Sequence, residues 1–253
     1  MTPTSLGMPA LPPPSEPTWK QAWDAALYGT ARGYLRAHPP TLLQVRDAVL
    51  DLLRTDDPDE LVLLGSVGAL TPDIVRALPR TEIRFDLQAG YTGTVLAGDW
   101  LAHVPTHVVE VDGDGYPRMV HVDPITGRER LGARLAETGV PQQVGRWLQE
   151  WWPVAELGAG ARAEVGTARD AAWRDVVRNL GPGGIAVALE PGHVRSTRPV
   201  AGTLRSLGSE ASVIVPDGSR DIVADVALDA VADAAGSVLV DDDGPTRVVH
   251  VAP

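Results

Sequence analysis

The stretch LVLLGSVGAL, residues 61–70, has the pattern of a strand that runs into a glycine turn. Leu61–Leu64 is a short, uninterrupted apolar run, which is typical of a parallel strand buried on both faces. Gly65 and Gly68 form the turn, and Thr71, followed directly by a proline, is predicted to be the N-cap of a helix. Ligands of α/β sheets bind beyond the carboxyl ends of such strands, so this turn is a candidate binding loop.

The turn lies within an alternation of helices and short apolar strands. Helical spacing predicts helices over 19–27, 41–54, 141–153 and 168–180, and apolar runs predict further buried strands over 92–100 and 185–189. This alternation indicates an α/β fold with a doubly wound sheet. Because the carboxyl ends of parallel strands meet along one edge, we expect Gly65, Asp99 and Glu190 to face the same crevice.

A β-hairpin is predicted as an insertion about midway along the chain, over about 106–131. Two runs of alternating apolar and polar residues flank the turn sequence DGDG, residues 112–115. Neither this turn nor DDDG at 241–244 continues into the ligand pattern of an EF-hand. We therefore expect both to be turns and predict no metal site.

The composition is that of an ordinary globular chain, with 44% apolar and 22% charged residues among 253. The net charge of −11 disfavours nucleic acid or an anionic membrane as the main partner, because both attract basic surfaces. The chain has no cysteine, which excludes thiolate chemistry, and no apolar run approaches the ~20 residues of a membrane span. We expect a cytoplasmic protein without membrane insertion, with a disordered proline-rich lead-in over 1–17 and one domain over 18–253.

Five sequence blocks resemble those of MidA-type class I S-adenosylmethionine (SAM)-dependent methyltransferases, in the same order. Relatives in that family methylate an arginine during assembly of respiratory complex I. The blocks are WDAALYGTARGYL (23–35), TVLAGDWLAHVPTHVVEVDGDG (94–115), VALEPGH (187–193), GTLRSL (202–207) and VPDGSRDIVADVALDAV (215–231). A helix, a Pro-Gly-Gly loop and a strand in NLGPGGIAVAL (179–189) are also similar to the class I pattern.

The resemblance implies a Rossmann-like sheet, SAM as cofactor, and methyl transfer to a protein side chain or to a small-molecule nitrogen or oxygen nucleophile. The activated methyl group leaves the protein mainly to align the nucleophile and exclude water. Carried over to matching positions, the cofactor-binding residues would be Gly65, Ser66 and Gly68, and the catalytic candidates would be Asp99, Glu190 and His193.

The sequence departs from the family pattern in and after the glycine loop. One glycine of the loop is replaced by Ser66 and Val67, and a β-branched valine limits close approach of a ligand to the backbone. The region from Gly65 to Asp99 is also short, which favours deletion of one βα unit together with the acid that holds the ribose. Alternatively Asp86, 21 residues after Gly65, is that acid, because a spacing of about 20 residues is usual.

Two functional hypotheses follow from these observations. The first is a divergent SAM-dependent methyltransferase whose acidic crevice suits a cationic substrate. The second is a catalytically inactive methyltransferase-fold protein that does not use SAM and serves as a binding or assembly partner. A nicotinamide oxidoreductase is disfavoured because a complete GxGxxG is missing. The shape of the crevice discriminates between the first two, since a crevice filled by Val67, Leu70 and tryptophan side chains excludes a cofactor.

Overall fold

The computed structural model describes residues 16–40, 46–137, 140–208, 213–241 and 246–253. The helices of this part are α1 (Trp19–Tyr28), α2 (Tyr34–Ala37), α3 (Arg46–Asp56), α4 (Thr71–Ala77), α5 (Gln142–Trp151), α6 (Thr167–Arg178) and α7 (Leu228–Ala234). Its strands are β1 (Glu60–Gly65), β2 (Glu82–Arg84), β3 (Thr94–Gly98), β4 (His107–Val111), β5 (Pro117–Val122), β6 (Glu129–Arg134), β7 (Arg162–Val165), β8 (Ile185–Leu189), β9 (Gly192–His193), β10 (Arg205–Ser206), β11 (Ile222–Val223), β12 (Val226–Ala227), β13 (Val238–Val240) and β14 (Arg247–Val251). The start of the helix predicted over 41–54, the DDDG turn beyond its first residue and all but residues 16 and 17 of the predicted lead-in lie outside the described residues.

A six-stranded, mostly parallel sheet forms the centre of the fold, in the order β13-β14-β8-β3-β1-β2. Strands β8, β3, β1 and β2 run parallel, and β14 is antiparallel to both of its neighbours. The predicted α/β fold class is confirmed. The chain passes from β1 to β2 on one side and then to β3 on the other, so the topological switch point lies between β1 and β3.

Relative to the classic doubly wound order 3-2-1-4-5-6, the outer strand beyond β2 is absent from the described residues. The second strand is retained as β2, which pairs in parallel with β1 through Glu60↔Glu82 and its neighbours. This corrects the reading in which the deleted βα unit took the acid-bearing strand with it. Asp86 follows the carboxyl end of β2 directly after Phe85.

The insertion is larger than the predicted hairpin. Strands β4 and β5 form that hairpin, but β6 and β7 join it in an antiparallel sheet of order β6-β5-β4-β7. Helix α5 covers this second sheet by packing Val144, Trp147 and Leu148 against Val109 and Val165. Sequence alternation predicted the hairpin, whereas β7 lies far along the chain, beyond α5.

Strand alternation places apolar side chains on both faces of the central sheet. On one face, Leu61 packs against Val49 of α3 and Ile74 of α4. On the other, Val62 lies in a cluster with Trp173 of α6. The glycine loop at the switch point is therefore held between two packed layers. Within the described residues, no helix has the length and apolar character that crossing a membrane requires.

The predicted N-cap of α4 is wrong. A 3₁₀ segment, Ser66–Leu70, runs directly into α4, so Leu70 occupies the N-cap position and Thr71 is the first helical residue. The Thr71 hydroxyl instead donates a hydrogen bond of 2.6 Å to the Gly68 carbonyl oxygen of that segment. A helix that continues a 3₁₀ turn has no open first turn for a side chain to cap.

Candidate functional site

The candidate site is the crevice at the carboxyl ends of β1, β3 and β8. The chain leaves β1 through Gly65, whose φ of +82° lies in the left-handed region. Ser66 and Val67 then turn inward and are 1% and 0% exposed. The Ser66 hydroxyl lies 3.1 Å from both the Gly98 carbonyl oxygen and the Asp99 carboxylate, so it can donate to either. The loop is thus packed into the sheet edge by its own side chains.

Three glycines of this crevice each have another residue of the chain beside the position that a side chain would take. The pairs are Gly65 with Trp100, Gly68 with Phe85, and Gly98 with Val67; a Cβ atom added to Gly68 would lie 3.6 Å from the Phe85 ring, in ordinary van der Waals contact. A Cβ atom on Gly98 would collide with Val67 Cγ1, so the valine methyl group occupies the space that the missing side chain leaves. A glycine exposes backbone for a ligand only while that space is open.

Asp99 comes directly after β3, fully buried, with a φ of +48° that aspartate tolerates better than most residues. Its carbonyl oxygen lies 2.5 Å from Nδ1 of His103, and Nε2 of the same ring is 3.1 Å from the Asp221 carboxylate. A carbonyl and a carboxylate only accept hydrogen bonds, so the His103 ring carries both protons. Burial alone lowers the pKa of His103, but the hydrogen bond and charge of Asp221 outweigh it and the pKa is raised.

Glu190, at the end of β8, is a helix cap in this structure. Its carboxylate accepts hydrogen bonds of 2.9–3.0 Å from the backbone N–H groups of Trp100, Leu101 and Ala102. These donors begin the 3₁₀ segment Leu101–His103, whose first N–H groups have no partner within the segment. Burial raises the pKa of Glu190 to about 7, against the effect of the three donors. The Glu190 carboxylate, which the sequence predicted to face the crevice, is therefore hydrogen-bonded to backbone N–H groups.

His193 lies on β9, and its ring is 7% exposed. The Arg198 guanidinium donates to Nδ1 at 2.8 Å, so the proton of the neutral ring is on Nε2. The ring packs edge-on against Trp152, with ring centroids 4.8 Å apart. Nε2 is buried and has no hydrogen-bond partner among the described residues. Burial, followed by the charge of Arg198, lowers the pKa of His193 to about 4.

We expect His193 to make the fold sensitive to acid. Its folded-state pKa of about 4 lies below the unfolded value of about 6.5, so the unfolded chain binds the proton more tightly and stability falls as pH drops through this range. In urea unfolding, the stability of the wild type relative to His193→Gln should fall by roughly 3 kcal/mol as pH drops from 7 to 4. Parallel pH profiles for the two proteins would contradict this assignment.

Asp86 lies apart from the buried carboxylates. It is exposed beyond β2, and its carboxylate is 3.4 Å from the Gln88 side-chain amide. This is the end of the strand next to β1, where a doubly wound sheet carries its ribose-binding acid. Asp86 is thus the predicted site residue whose carboxylate is most open to solvent.

Arg169 of α6 is a central residue of this region that sequence reasoning missed. Its side chain is 1% exposed, and its guanidinium donates to the backbone carbonyl oxygens of Ala102, Ala224 and Asp225. Burial lowers the pKa of Arg169 to about 10, while nearby carboxylates, Glu164 first, act to raise it. The guanidinium ties the segment after β3 to the segment before β12. Its position four residues before Trp173, on the buried stripe of α6, was the available signal.

The structure has cavities away from this crevice. The most spacious of those characterised, about 670 Å³, lies between the second sheet and α5 and is lined in part by Tyr116, Leu148 and Pro153. Within the described ranges, no group of three or more His, Asp or Glu side chains is arranged to hold a metal ion.

Solved structures with the same architecture come from Burkholderia thailandensis. An uncharacterised COG1565 superfamily protein superposes with a TM-score of 0.62 at 18% identity, over 88% of this chain and 72% of that one. A second structure, of a COG1565 superfamily member and candidate methyl transferase bound to S-adenosyl-homocysteine (SAH), gives the same TM-score and identity over 88% of this chain and 73% of that one. The chain has a methyltransferase-like fold. A scan of protein-family models and a search of curated proteins found no match.

The residues of the crevice do not fit SAM, the cofactor that this fold and the sequence resemblance imply. Val67 fills the space over Gly98, and the Phe85 ring lies beside Gly68. The Glu190 carboxylate is fully engaged by backbone N–H groups. A cofactor lying across the switch point requires bare backbone there. Binding would therefore require the Ser66–Leu70 segment to unpack from the core.

Proposed function

We propose that this protein is a methyltransferase-fold protein that does not use SAM and acts by binding another protein. The observation that carries the proposal is the burial of Val67 against Gly98, which closes the crevice with an apolar side chain. A fold keeps its architecture when its site is lost, because the core and the site depend on different residues. The apolar clusters on the two faces of the central sheet support this, because they hold the architecture together mostly through residues outside the crevice.

The engaged carboxylates give further support. Glu190 caps a backbone segment, and the Ser66 hydroxyl lies 3.1 Å from the Asp99 carboxylate. A carboxylate that orients a nucleophile and accepts its proton must reach the substrate. The Glu190 and Asp99 side chains are buried, at 7% and 0% exposure, and point into the protein's own hydrogen-bond network. In this proposal the two acids keep the positions that the sequence resemblance implies and serve the fold instead of a substrate.

A second candidate is a SAM-dependent methyltransferase that acts on a protein side chain or a small nucleophile. Two observations favour it: Gly65 is exposed at positive φ after β1, and Asp86 is open to solvent after β2. These are the loop and acid positions of a dinucleotide-type site. In this candidate the 3₁₀ segment after β1 unpacks when the cofactor binds.

Thermal unfolding in the presence of SAH separates the two candidates. A ligand that binds only the folded state at 100 times its Kd stabilises that state by about 2.7 kcal/mol, which shifts Tm by several degrees. We expect no shift for the wild type with ~1 mM SAH, a concentration that reveals a micromolar site. A shift that Gly65→Val removes, with the fold confirmed by circular dichroism, would support the second candidate and overturn the first.

A further inference from the structure

Within the residues that the structure describes, no strand pairs with β2 on the side away from β1, so β2 is an open edge of the central sheet. The Glu82 N–H donates to the Asp59 carbonyl oxygen at 2.9 Å, so this residue points its backbone groups toward β1. Backbone groups alternate in direction along a strand, and those of Ile83 therefore point away from β1 to the open edge. An open edge is a template for pairing with another strand.

Glu82 and Arg84 form an ion pair within the strand, with Arg84 Nη2 2.9 Å from Glu82 Oε1, and the same two charges are self-complementary between two copies. In an antiparallel pair centred on Ile83, Ile83 of each strand faces Ile83 of the other, and its N–H and C=O groups exchange two hydrogen bonds. Glu82 of each strand then faces Arg84 of the other. Both ionic pairs fall at the non-hydrogen-bonded positions, where side chains are closest, and opposite charges there are stabilising.

Apolar surface flanks the same edge. Phe85, the only phenylalanine of the chain, is 60% exposed, and Val75 of α4 is 49% exposed. The Phe85 ring lies against Gly68, in the segment that leads into α4, so both side chains belong to the α4 side of the sheet. Two copies joined along β2 would bring this surface together on one side of a continuous sheet.

We propose that the β2 edge is a self-association surface, through which two copies of the chain pair antiparallel about Ile83 and form a continuous twelve-stranded sheet. The arrangement is isologous, because each copy offers the same patch and a two-fold axis closes the assembly. The inference does not depend on whether the crevice binds SAM, since the edge strand and the crevice use different residues. Short charged edge strands can also protect a sheet against pairing, and the experiment below distinguishes this protective role from self-association.

Charge reversal provides the test, with sedimentation equilibrium as the readout. The wild type should have twice the chain mass of 26.8 kDa at tens of micromolar. Glu82→Arg and Arg84→Glu each place like charges opposite each other and should yield monomers, whereas the double variant Glu82→Arg/Arg84→Glu restores complementarity and should yield dimers. Reversal of the exposed pair on α6, Asp175→Arg/Arg178→Asp, is the matched control and should leave the dimer intact.

A wild-type monomer across this range would overturn the proposal, as would single variants that stay dimeric or a double variant that stays monomeric. A cross-link gives an independent readout because the chain has no cysteine. Ile83→Cys should form covalent dimers with a short bismaleimide, since paired Cα atoms at a hydrogen-bonded position are about 5.5 Å apart. Val238→Cys, exposed on the opposite edge strand β13, should not. Equal yields from the two variants would also contradict pairing through β2.

Discussion

Arg169→Met should lower the free energy of unfolding by roughly 3–5 kcal/mol, the usual cost of removing one partner from a buried charge network. The substitution keeps most of the side-chain volume but leaves the carbonyl oxygens of Ala102, Ala224 and Asp225 without their donor. It also removes the cation that faces the carboxylates around the crevice. Urea denaturation followed by circular dichroism measures the loss.

Arg178→Met is the matched control, because Arg178 lies on the same helix with its side chain 68% exposed. Its effect should stay within ~0.5 kcal/mol, as for most surface substitutions. If Arg169→Met cost as little, the guanidinium would not join the segments that bound the crevice. The account of Arg169 as a structural residue would then fail.

Glu190→Ala should cost about 3 kcal/mol or more, because three buried backbone N–H groups lose their acceptor. Glu190→Gln retains one acceptor oxygen and should cost less, on the order of 1–2 kcal/mol. Equal and small effects for both variants, measured by urea denaturation at pH 7, would show that the carboxylate does not cap the Leu101–His103 segment.

The pH dependence of unfolding stability in the same variants shows whether ionisation of Glu190 stabilises or destabilises the fold. Burial raises its pKa to about 7, so the folded protein binds the proton more tightly than the unfolded chain does. Its contribution to stability is therefore present at pH 4.5 and is lost as pH rises to about 7. Glu190→Gln, which does not titrate, should lack this part of the profile.

Sequence patterns predicted the parts of the fold that rest on continuous apolar runs. Strand β8 has its predicted bounds, β1 contains the predicted apolar run, and β3 lies within the strand predicted over 92–100, because parallel strands buried on both faces leave an unbroken apolar signal. Strand β2 escaped prediction, since three residues of which two are charged carry neither an apolar run nor a clear period. Strand β2 forms only through its pairing with β1 in the folded protein.

The sequence predicted where the candidate site lies but not which contacts its side chains make. The order of strand, glycine turn and helix placed Gly65, Asp99 and Glu190 at one edge of the sheet, where the structure has them. Sequence does not reveal which donors a buried carboxylate meets, so the capping role of Glu190 emerged only from the fold. The inward turn of Val67 depends on the space above Gly98, which is 31 residues away in the chain.

Calorimetric titration of the purified wild-type protein with SAH tests the central claim most directly, because SAH occupies a methyltransferase site and cannot be turned over. A crevice filled by Val67 predicts no binding heat up to ~1 mM ligand. Any binding would then have a Kd above ~1 mM, which corresponds to a binding free energy weaker than about −4.1 kcal/mol. Micromolar binding that Gly65→Val abolishes would contradict the account and establish that the glycine loop opens for the cofactor.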